Sequence, residues 1–185
     1  MADSGDRNPQ HRGRLLLYRG AGFAAYIGLG ELTVFLFMGP AIVLGAYYVM
    51  ALTFSWSALW ASVALGFLVA GILHANNIRD IETDGLHGKH TLATILGRDG
   101  AIWELITLDV LAYATTLIAV LAGTLPWTAL LVLITIPRAR DQLRIVRTET
   151  EAKKLNLALL RSVQLHMEFG ILMIIAFVAA AIFKW

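Results

Sequence analysis

The chain has 185 residues, of which 58% are hydrophobic and 15% charged, with a formal net charge of +2 and no cysteine. A soluble globular domain is closer to half apolar and a quarter charged, so this composition indicates a membrane protein. The absence of cysteine excludes disulfides and thiolate metal sites. Nothing in the charge balance gives reason to expect a nucleic-acid partner.

We predict an all-α fold, a multi-pass transmembrane bundle of about five membrane helices, after a polar tail over residues 1–17. Five apolar runs have lengths that suit membrane helices. They are Leu32–Met50, Ala58–Ala75, Ala101–Gly123, a run from Pro126 past Pro137, and Ser162–Phe183. Gly39-Pro40 predicts a kink in the first run. A polar loop, Asn76–Gly100, separates the second run from the third.

The basic residues support this count. If the five runs alternate in direction, the residues before the first run, the Asn76–Gly100 loop and the segment Arg138–Arg161 share one side, and they hold 14 of the 15 Lys and Arg residues. Loops rich in Lys and Arg face the cytoplasm, so we expect these three segments there. Arg138–Arg161 is expected to lie at the membrane surface and to meet anionic lipid head groups.

The loop begins with a pattern of oxygen-bearing side chains. If the second run continues as a helix, Asn76, Asp80 and Asp84 recur every four residues, and Asn77 joins them, so that all four face one way. Mg²⁺ takes one or two carboxylates together with substrate phosphates and water. The pattern therefore predicts a Mg²⁺ site.

Two cations in the same loop suit a diphosphate. Arg79 and Lys89 would neutralise it as a fork and a point charge. Gly85 and Gly88 would let the loop bend back over the site. The alternative interpretation is an ordinary solvated loop between two membrane helices.

Four other polar side chains lie in or near the apolar runs. Asp109 lies within the third run, where a carboxylate is costly, so we expect it to face the bundle interior. It would bind an acceptor hydroxyl or serve as a base; a protonated, hydrogen-bonded structural role is the alternative. Glu31 and Glu168 are interpreted as capping or interfacial residues. His74, one turn before the loop, is interpreted as interfacial or as a residue that supports the metal ligands.

The loop matches a longer string, NN-x-RD-x-x-(T/S)D-x-x-x-GK-x-TLA-x-x-x-G. The matching positions are Asn76, Asn77, Arg79, Asp80, Thr83, Asp84, Gly88, Lys89, Thr91, Leu92, Ala93 and Gly97. On these residues, and on the segment Tyr26–Leu32 (YIGLGEL) and the pair Leu155-Asn156, the chain resembles the UbiA superfamily of membrane prenyltransferases. The branch it resembles makes menaquinone precursors from 1,4-dihydroxy-2-naphthoate. The resemblance runs from about Tyr18 to the end.

The resemblance implies a fold and a reaction. Members have nine membrane helices and two Asp-rich loops, each holding Mg²⁺ on a polyprenyl diphosphate. Residues 18–185 would be the C-terminal half of such a domain, with its last five helices and the second loop at 76–98. The diphosphate ionises, the aromatic acceptor attacks the allylic cation, and the naphthoate loses its carboxylate. The chain would lie in the cytoplasmic (inner) membrane.

The same resemblance implies roles for the loop residues. Asp80, Asp84 and Lys89 would be catalytic, and Arg79, Lys89 and Asn77 would bind the diphosphate. The metal ligands would be Asp80, Asp84, Asn77 and Asn76.

The chain also departs from the family pattern. The first Asp-rich motif is absent from the sequence, and His90 stands where the branch has arginine. We therefore expect that this chain alone is inactive and needs an N-terminal half or self-association. The alternatives are a non-catalytic membrane fragment, or a small transporter that uses Asp109 and Glu168.

Overall fold

A computed structural model describes residues 29–183. The predicted tail, the Tyr18–Gly28 part of the resemblance and Lys184 lie outside these residues. Six α-helices and one 3₁₀ segment follow in order, with no strand between residues 29 and 183. The helices are α1 (Gly30–Ala51), α2 (Trp56–Arg79), α3 (Ile81–Leu86), α4 (Leu92–Leu121), α5 (Ile136–Thr148) and α6 (Ala152–Ile182), and the 3₁₀ segment is Trp127–Thr135. The all-α membrane bundle is therefore confirmed.

Hydrogen bonds between helix ends define the topology. At one end of the bundle, Ser57 Oγ donates to Thr124 O at 2.7 Å, and Thr128 Oγ1 donates to Ala176 O at 2.8 Å. At the other end, Arg98 donates to Val146 O at 2.8 Å, and to Glu149 O. The chain therefore passes between the two ends five times, as predicted. Residues 76–89, which we call the Asp-rich segment, lie at the same end as the junction of α5 and α6.

Four of these passes are single helices long and apolar enough to cross a membrane, namely α1, α2, α4 and α6, within residues 29–183. The fourth pass is instead the 3₁₀ segment followed by α5. Pro137 lies in the first turn of α5, since a proline farther into a helix would lose a backbone hydrogen bond and clash with the preceding turn. Nine residues cover about 18 Å as a 3₁₀ helix and about 14 Å as an α-helix, so the tighter winding lengthens a short apolar run.

Helix boundaries differ from the predicted ones where polar residues cap or extend a helix. The hydroxyl of Ser55 caps α2, which continues beyond the apolar run to Arg79. Helix α4 begins at Leu92, behind the cap Thr91, and breaks at Gly97 before its apolar part. The segment predicted as a loop is therefore helical over most of its length, because the Asp-rich residues continue the winding of α2.

The predicted kink at Gly39-Pro40 is a π-helical turn, Phe37–Ala41, in the middle of α1. Proline has no N–H to donate to the preceding turn, and a π-helical turn accommodates the missing hydrogen bond. At this point α1 lies against α2: a Cβ added to Gly39 would stand 2.7 Å from the Cα of Gly66 and 3.0 Å from the carbonyl oxygen of Ser62. Close backbone approach at small residues is how membrane helices pack without a hydrophobic driving force.

A separate apolar cluster supports the end that carries the Asp-rich segment. Its side chains come from α2, α4, α5 and α6 and are almost fully buried. The largest of those with almost no exposure are Ile78, Leu105, Val146 and Leu155. Because Ile78 lies one residue before Arg79, this cluster fixes the place where α2 leaves the apolar part of the bundle.

We expect Gly39→Ala to destabilise the chain by about 1–3 kcal/mol, because the new methyl group overlaps the backbone of α2. Gly45→Ala is the matched control, since a Cβ at Gly45 meets nothing within 4 Å. Thermal unfolding of both variants in detergent micelles measures the difference. Equal unfolding temperatures for the two would contradict the close packing of α1 on α2.

Candidate functional site

The Asp-rich segment keeps a helical course across the junction of α2 and α3. Asp80 N donates to Asn76 O at 3.2 Å, and Asp84 N donates to Asp80 O at 2.8 Å. Residues joined by such bonds lie one above the other on a helix surface. Asn76, Asp80 and Asp84 therefore share one face, as the spacing predicts, and Asn76 Nδ2 lies 3.4 Å from Asp80 Oδ2.

Asp80 is bound through both of its oxygens by the guanidinium of the preceding residue. Arg79 Nε donates to Oδ1 at 2.7 Å, and Arg79 Nη2 donates to Oδ2 at 2.6 Å. The third nitrogen, Nη1, donates to Asn156 Oδ1 of α6 at 2.9 Å. The Arg79 hydrogen bonds hold the pKa of Asp80 below its ordinary value, partly opposed by burial, and the positive charge of Lys89 adds to the effect. Asp80 is therefore ionised at neutral pH.

Asp84 has its own cation. Lys89 Nζ donates to Asp84 Oδ2 at 2.9 Å, and Lys89 N donates to Asp84 O at 2.9 Å, which closes the turn after α3. Gly88 adopts φ +66° in this turn, a conformation that costs glycine little and other residues more. The bend predicted at Gly88 is thus present, whereas Gly85 lies within α3.

The four charged side chains therefore form two neutral pairs at the surface of the bundle. Their exposed fractions are 21% for Arg79, 26% for Asp80, 34% for Lys89 and 15% for Asp84. A cavity of about 170 Å³, bordered by Arg79, Asp80, Thr83 and Arg98, opens beside the first pair. The cavity borders the Arg79–Asp80 pair, and the Lys89–Asp84 pair is partly exposed outside it.

Asn77 lies at the edge of this face that is nearest α1. Its side chain is buried and donates from Nδ2 to Glu31 Oε1 on α1, at 2.9 Å. Of the predicted four, Asn76, Asp80 and Asp84 are thus partly exposed, whereas the nitrogen of Asn77 is bound to α1. On an ideal helix Asn77 is about 60° from Asp80 and about 20° from Asp84, so it borders the same face.

Glu31 and His74 lie near the polar end of the bundle, and both side chains are buried between helices. His74 Nδ1 lies 2.9 Å from Glu31 Oε1, and His74 Nε2 lies 2.9 Å from the carbonyl oxygen of Ala101 on α4. A polar group without solvent must find a partner in the protein. The three-residue spacing from His74 to Asn77 placed both on one helix face and could have indicated a shared partner.

Glu168 forms an ion pair between two helices, and its side chain is 40% exposed. Arg138 Nη2 on α5 donates to Glu168 Oε1 at 2.7 Å. The pair joins α5 to α6 and supplies a partner for a carboxylate within an apolar helix.

Asp109 faces the interior, as predicted, and is 4% exposed. Its Oδ2 is buried and has no hydrogen-bond partner among residues 29–183. A cavity of about 360 Å³ between α4 and α5 is bordered by Asp109, Tyr113, Arg140 and otherwise apolar side chains. Asp109 stands eight residues beyond Ala101 on α4, about 12 Å along the helix axis, so it lies apart from the paired charges.

The oxygen atoms of Asp80, Asp84 and Asn76 are hard donors of the kind that Mg²⁺ takes. Within residues 29–183, no group of three or more His, Cys, Asp or Glu side chains is arranged to hold a metal. A cation bound by this donor set would need further oxygens from a substrate or from water.

Comparisons with known proteins bear on the family of the chain. The chain matches the UbiA prenyltransferase family over residues 15–163. It is 45% identical over 102 residues to a 1,4-dihydroxy-2-naphthoate octaprenyltransferase of Mycobacterium tuberculosis, covering 55% of this chain and 34% of the relative. It is 33% identical over 163 residues to a 2-carboxy-1,4-naphthoquinone phytyltransferase of Synechocystis sp., covering 84% of this chain and 52% of the relative.

A third relative comes from an animal. The chain is 31% identical over 160 residues to a UbiA prenyltransferase domain-containing protein 1 homolog of Drosophila melanogaster, covering 86% of this chain and 43% of the relative. No solved structure matches the chain. The chain thus spans about half, or less, of the length of these relatives. Because the family match covers most of its residues, this multi-pass membrane chain belongs to the UbiA prenyltransferase family.

Proposed function

We propose that this chain supplies one of two Mg²⁺–diphosphate clamps for polyprenyl transfer to an aromatic acceptor in menaquinone synthesis. The observation that carries the proposal is the pair of carboxylates on one helix face, each bound to a cation of the same segment. Naphthoate or naphthoquinone prenyl transfer, named for two of the relatives, supports 1,4-dihydroxy-2-naphthoate as the acceptor. The donor would be a polyprenyl diphosphate.

The paired charges indicate how the clamp would load. While Arg79 and Lys89 hold the two carboxylates, the charge of each group is already neutralised by its partner, which weakens the attraction of the segment for a ligand. A diphosphate offers oxygens to both Arg79 and Lys89. When these two side chains turn to the diphosphate, the carboxylates of Asp80 and Asp84 become available to a divalent cation. Mg²⁺, when bound, would neutralise the charge that develops on the leaving diphosphate. Metal and diphosphate should therefore bind cooperatively, because each releases the partner of the other.

The reaction itself is a substitution at the allylic carbon. The C–O bond to the diphosphate breaks, and its electron pair leaves with the diphosphate. The electron-rich ring supplies the pair for the new C–C bond, and the naphthoate then loses its carboxylate as CO₂. We propose that Asp109 contacts an acceptor hydroxyl, since its buried oxygen is unpaired and borders an apolar cavity. Charge from Arg79 and Lys89 would stabilise the leaving group.

A diphosphate between two metal ions needs protein ligands on both sides. The sequence holds one Asp-rich motif. We therefore propose that a second set of ligands comes from an N-terminal half or from a second copy of the chain. Self-association and a separate half differ in the partner they require, and an activity assay distinguishes them.

Binding of Mn²⁺ and inorganic diphosphate tests the clamp. We expect Mn²⁺ alone to bind weakly to the purified chain in detergent micelles, and diphosphate to strengthen that binding. Asp80→Asn should abolish the strengthening, a loss of at least about tenfold in Mn²⁺ affinity. Binding of diphosphate without metal should not weaken in Asp80→Asn, because Arg79 is then released from the carboxylate of residue 80. Electron paramagnetic resonance of free and bound Mn²⁺ gives the metal affinity, and equilibrium dialysis of labelled diphosphate without metal gives the diphosphate affinity.

Glu82→Gln is the matched control for this variant. Glu82 lies two residues away, is exposed, and carries the same charge. If Asp80→Asn and Glu82→Gln change Mn²⁺ affinity equally, the segment attracts cations by charge alone and the clamp does not exist.

Turnover with a labelled prenyl diphosphate and 1,4-dihydroxy-2-naphthoate tests the need for a second half. We expect no product from the purified chain at dilutions that keep it monomeric. Product should form on adding the N-terminal half of a full-length relative, or at concentrations where the chain self-associates. In the active mixture, Asp109→Asn should raise KM for the naphthoate and leave KM for the diphosphate unchanged. Robust turnover by the monomeric chain would contradict the incomplete clamp.

We also propose a cytoplasmic location for the Asp-rich segment, in the inner membrane. The chain has no cysteine, so single cysteines report on sidedness. We expect Glu82→Cys to be protected from a membrane-impermeant maleimide in intact cells, and Thr53→Cys, at the opposite end, to be labelled. Reversed labelling would place the segment outside.

A further inference from the structure

Glu31 contacts the Asp-rich helix at a point that the paired charges do not include. Its Oε1 lies 2.9 Å from His74 Nδ1 and 2.9 Å from Asn77 Nδ2. All three side chains are buried, with exposed fractions of 5%, 0% and 4% for Glu31, His74 and Asn77. One carboxylate oxygen of α1 thus binds two successive turns of α2.

The position of this oxygen is itself fixed. His74 Nε2 faces the carbonyl oxygen of Ala101 at 2.9 Å, so this nitrogen carries a proton and donates. The imidazole is therefore held at both ends, between α4 and α1. Glu31 cannot shift without breaking a buried hydrogen bond, which leaves an unpaired polar group in the bundle.

This fixed oxygen determines which way the amide of Asn77 faces. An amide has a donor nitrogen and an acceptor oxygen on opposite sides, and its two orientations differ only in hydrogen bonding. The carboxylate requires the nitrogen, so the carbonyl oxygen of Asn77 faces away from Glu31. The hydrogen bond of this side chain to α1 is made by Nδ2. Asn77 precedes Asp80 by three residues, a spacing that places side chains on adjoining parts of a helix surface.

We propose that Glu31 is a positioning residue that orients Asn77, so that its oxygen rather than its nitrogen is presented to a divalent cation at Asp80 and Asp84. This inference rests on the proposed function, since it concerns the same clamp. Glu31 itself does not touch the ligand. If the amide were reversed, its N–H groups would face the cation and repel it. The orientation of Asn77 therefore decides whether this side chain strengthens or weakens cation binding.

Mn²⁺ binding in the presence of inorganic diphosphate tests the proposal without any turnover. Glu31→Met keeps the length and removes the acceptor, and Asn77→Ala removes the amide. We expect each to weaken Mn²⁺ affinity about 10–100-fold, the usual cost of losing a group that orients a metal ligand. The double variant should be no weaker than Asn77→Ala alone, because Glu31 acts through Asn77. Losses that add in the double variant would overturn the proposal and indicate a separate structural role.

A second variant covers the case in which Glu31→Met does not fold. Glu31→Gln combined with Asn77→Asp keeps the buried hydrogen bond with donor and acceptor exchanged. An aspartate presents an oxygen in either orientation, so Mn²⁺ affinity should match or exceed that of the unmodified chain. An affinity as low as that of Asn77→Ala would overturn the proposal.

The unmodified chain separates this inference from the clamp itself. If it binds Mn²⁺ with diphosphate and Glu31→Met binds equally well, the clamp stands and the role of Glu31 is refuted. If the unmodified chain shows no diphosphate-dependent binding, the clamp and the role of Glu31 both fail.

Discussion

The buried imidazole of His74 joins three helices at the depth where the apolar bundle meets its polar end. It contacts Glu31 of α1 and the backbone of Ala101 on α4, and it belongs to α2 itself. In a membrane no water can replace these partners, so the three helices keep one relative position. Everything beyond this point of α2, including the Asp-rich segment, emerges from the bundle in a direction that these bonds set.

Beyond His74 the balance of forces changes from packing to charge. Ile78 belongs to an apolar cluster, and the next residues, Arg79 and Asp80, pair at the surface. Arg79 also reaches Asn156 at the start of α6. The Asp-rich segment is thus held by the apolar contacts of Ile78 inside the bundle and by the cation of Arg79 at its surface. That cation holds the segment together in the free chain and is the group a diphosphate would take over in the proposed clamp.

Family membership and partial length have different consequences for function. The match to the UbiA prenyltransferase family covers most of this chain, whereas the chain spans about half, or less, of its relatives. The paired carboxylates lie at one end of a five-pass bundle, and a diphosphate held from one side only would remain open to water. An active site therefore requires a second wall, which in our proposal another half or another copy supplies.

The sequence by itself determined the passes, their alternation and the helix-face stacking of Asn76, Asp80 and Asp84, because apolar run length, charge bias and four-residue spacing are local properties. It also indicated a kink at Pro40 and a bend at Gly88. It could not determine the 3₁₀ winding of the fourth pass, because that winding depends on the length of the neighbouring helices that the short apolar run must match. Nor could it determine the partners of Asn77, since the nearest acceptor, Glu31, lies 46 residues away in the chain. The packing of α1 on α2, at Gly39 and Gly66, brings that carboxylate to the amide. Asn77, predicted as a direct ligand, is therefore a residue whose orientation depends on its contact with Glu31.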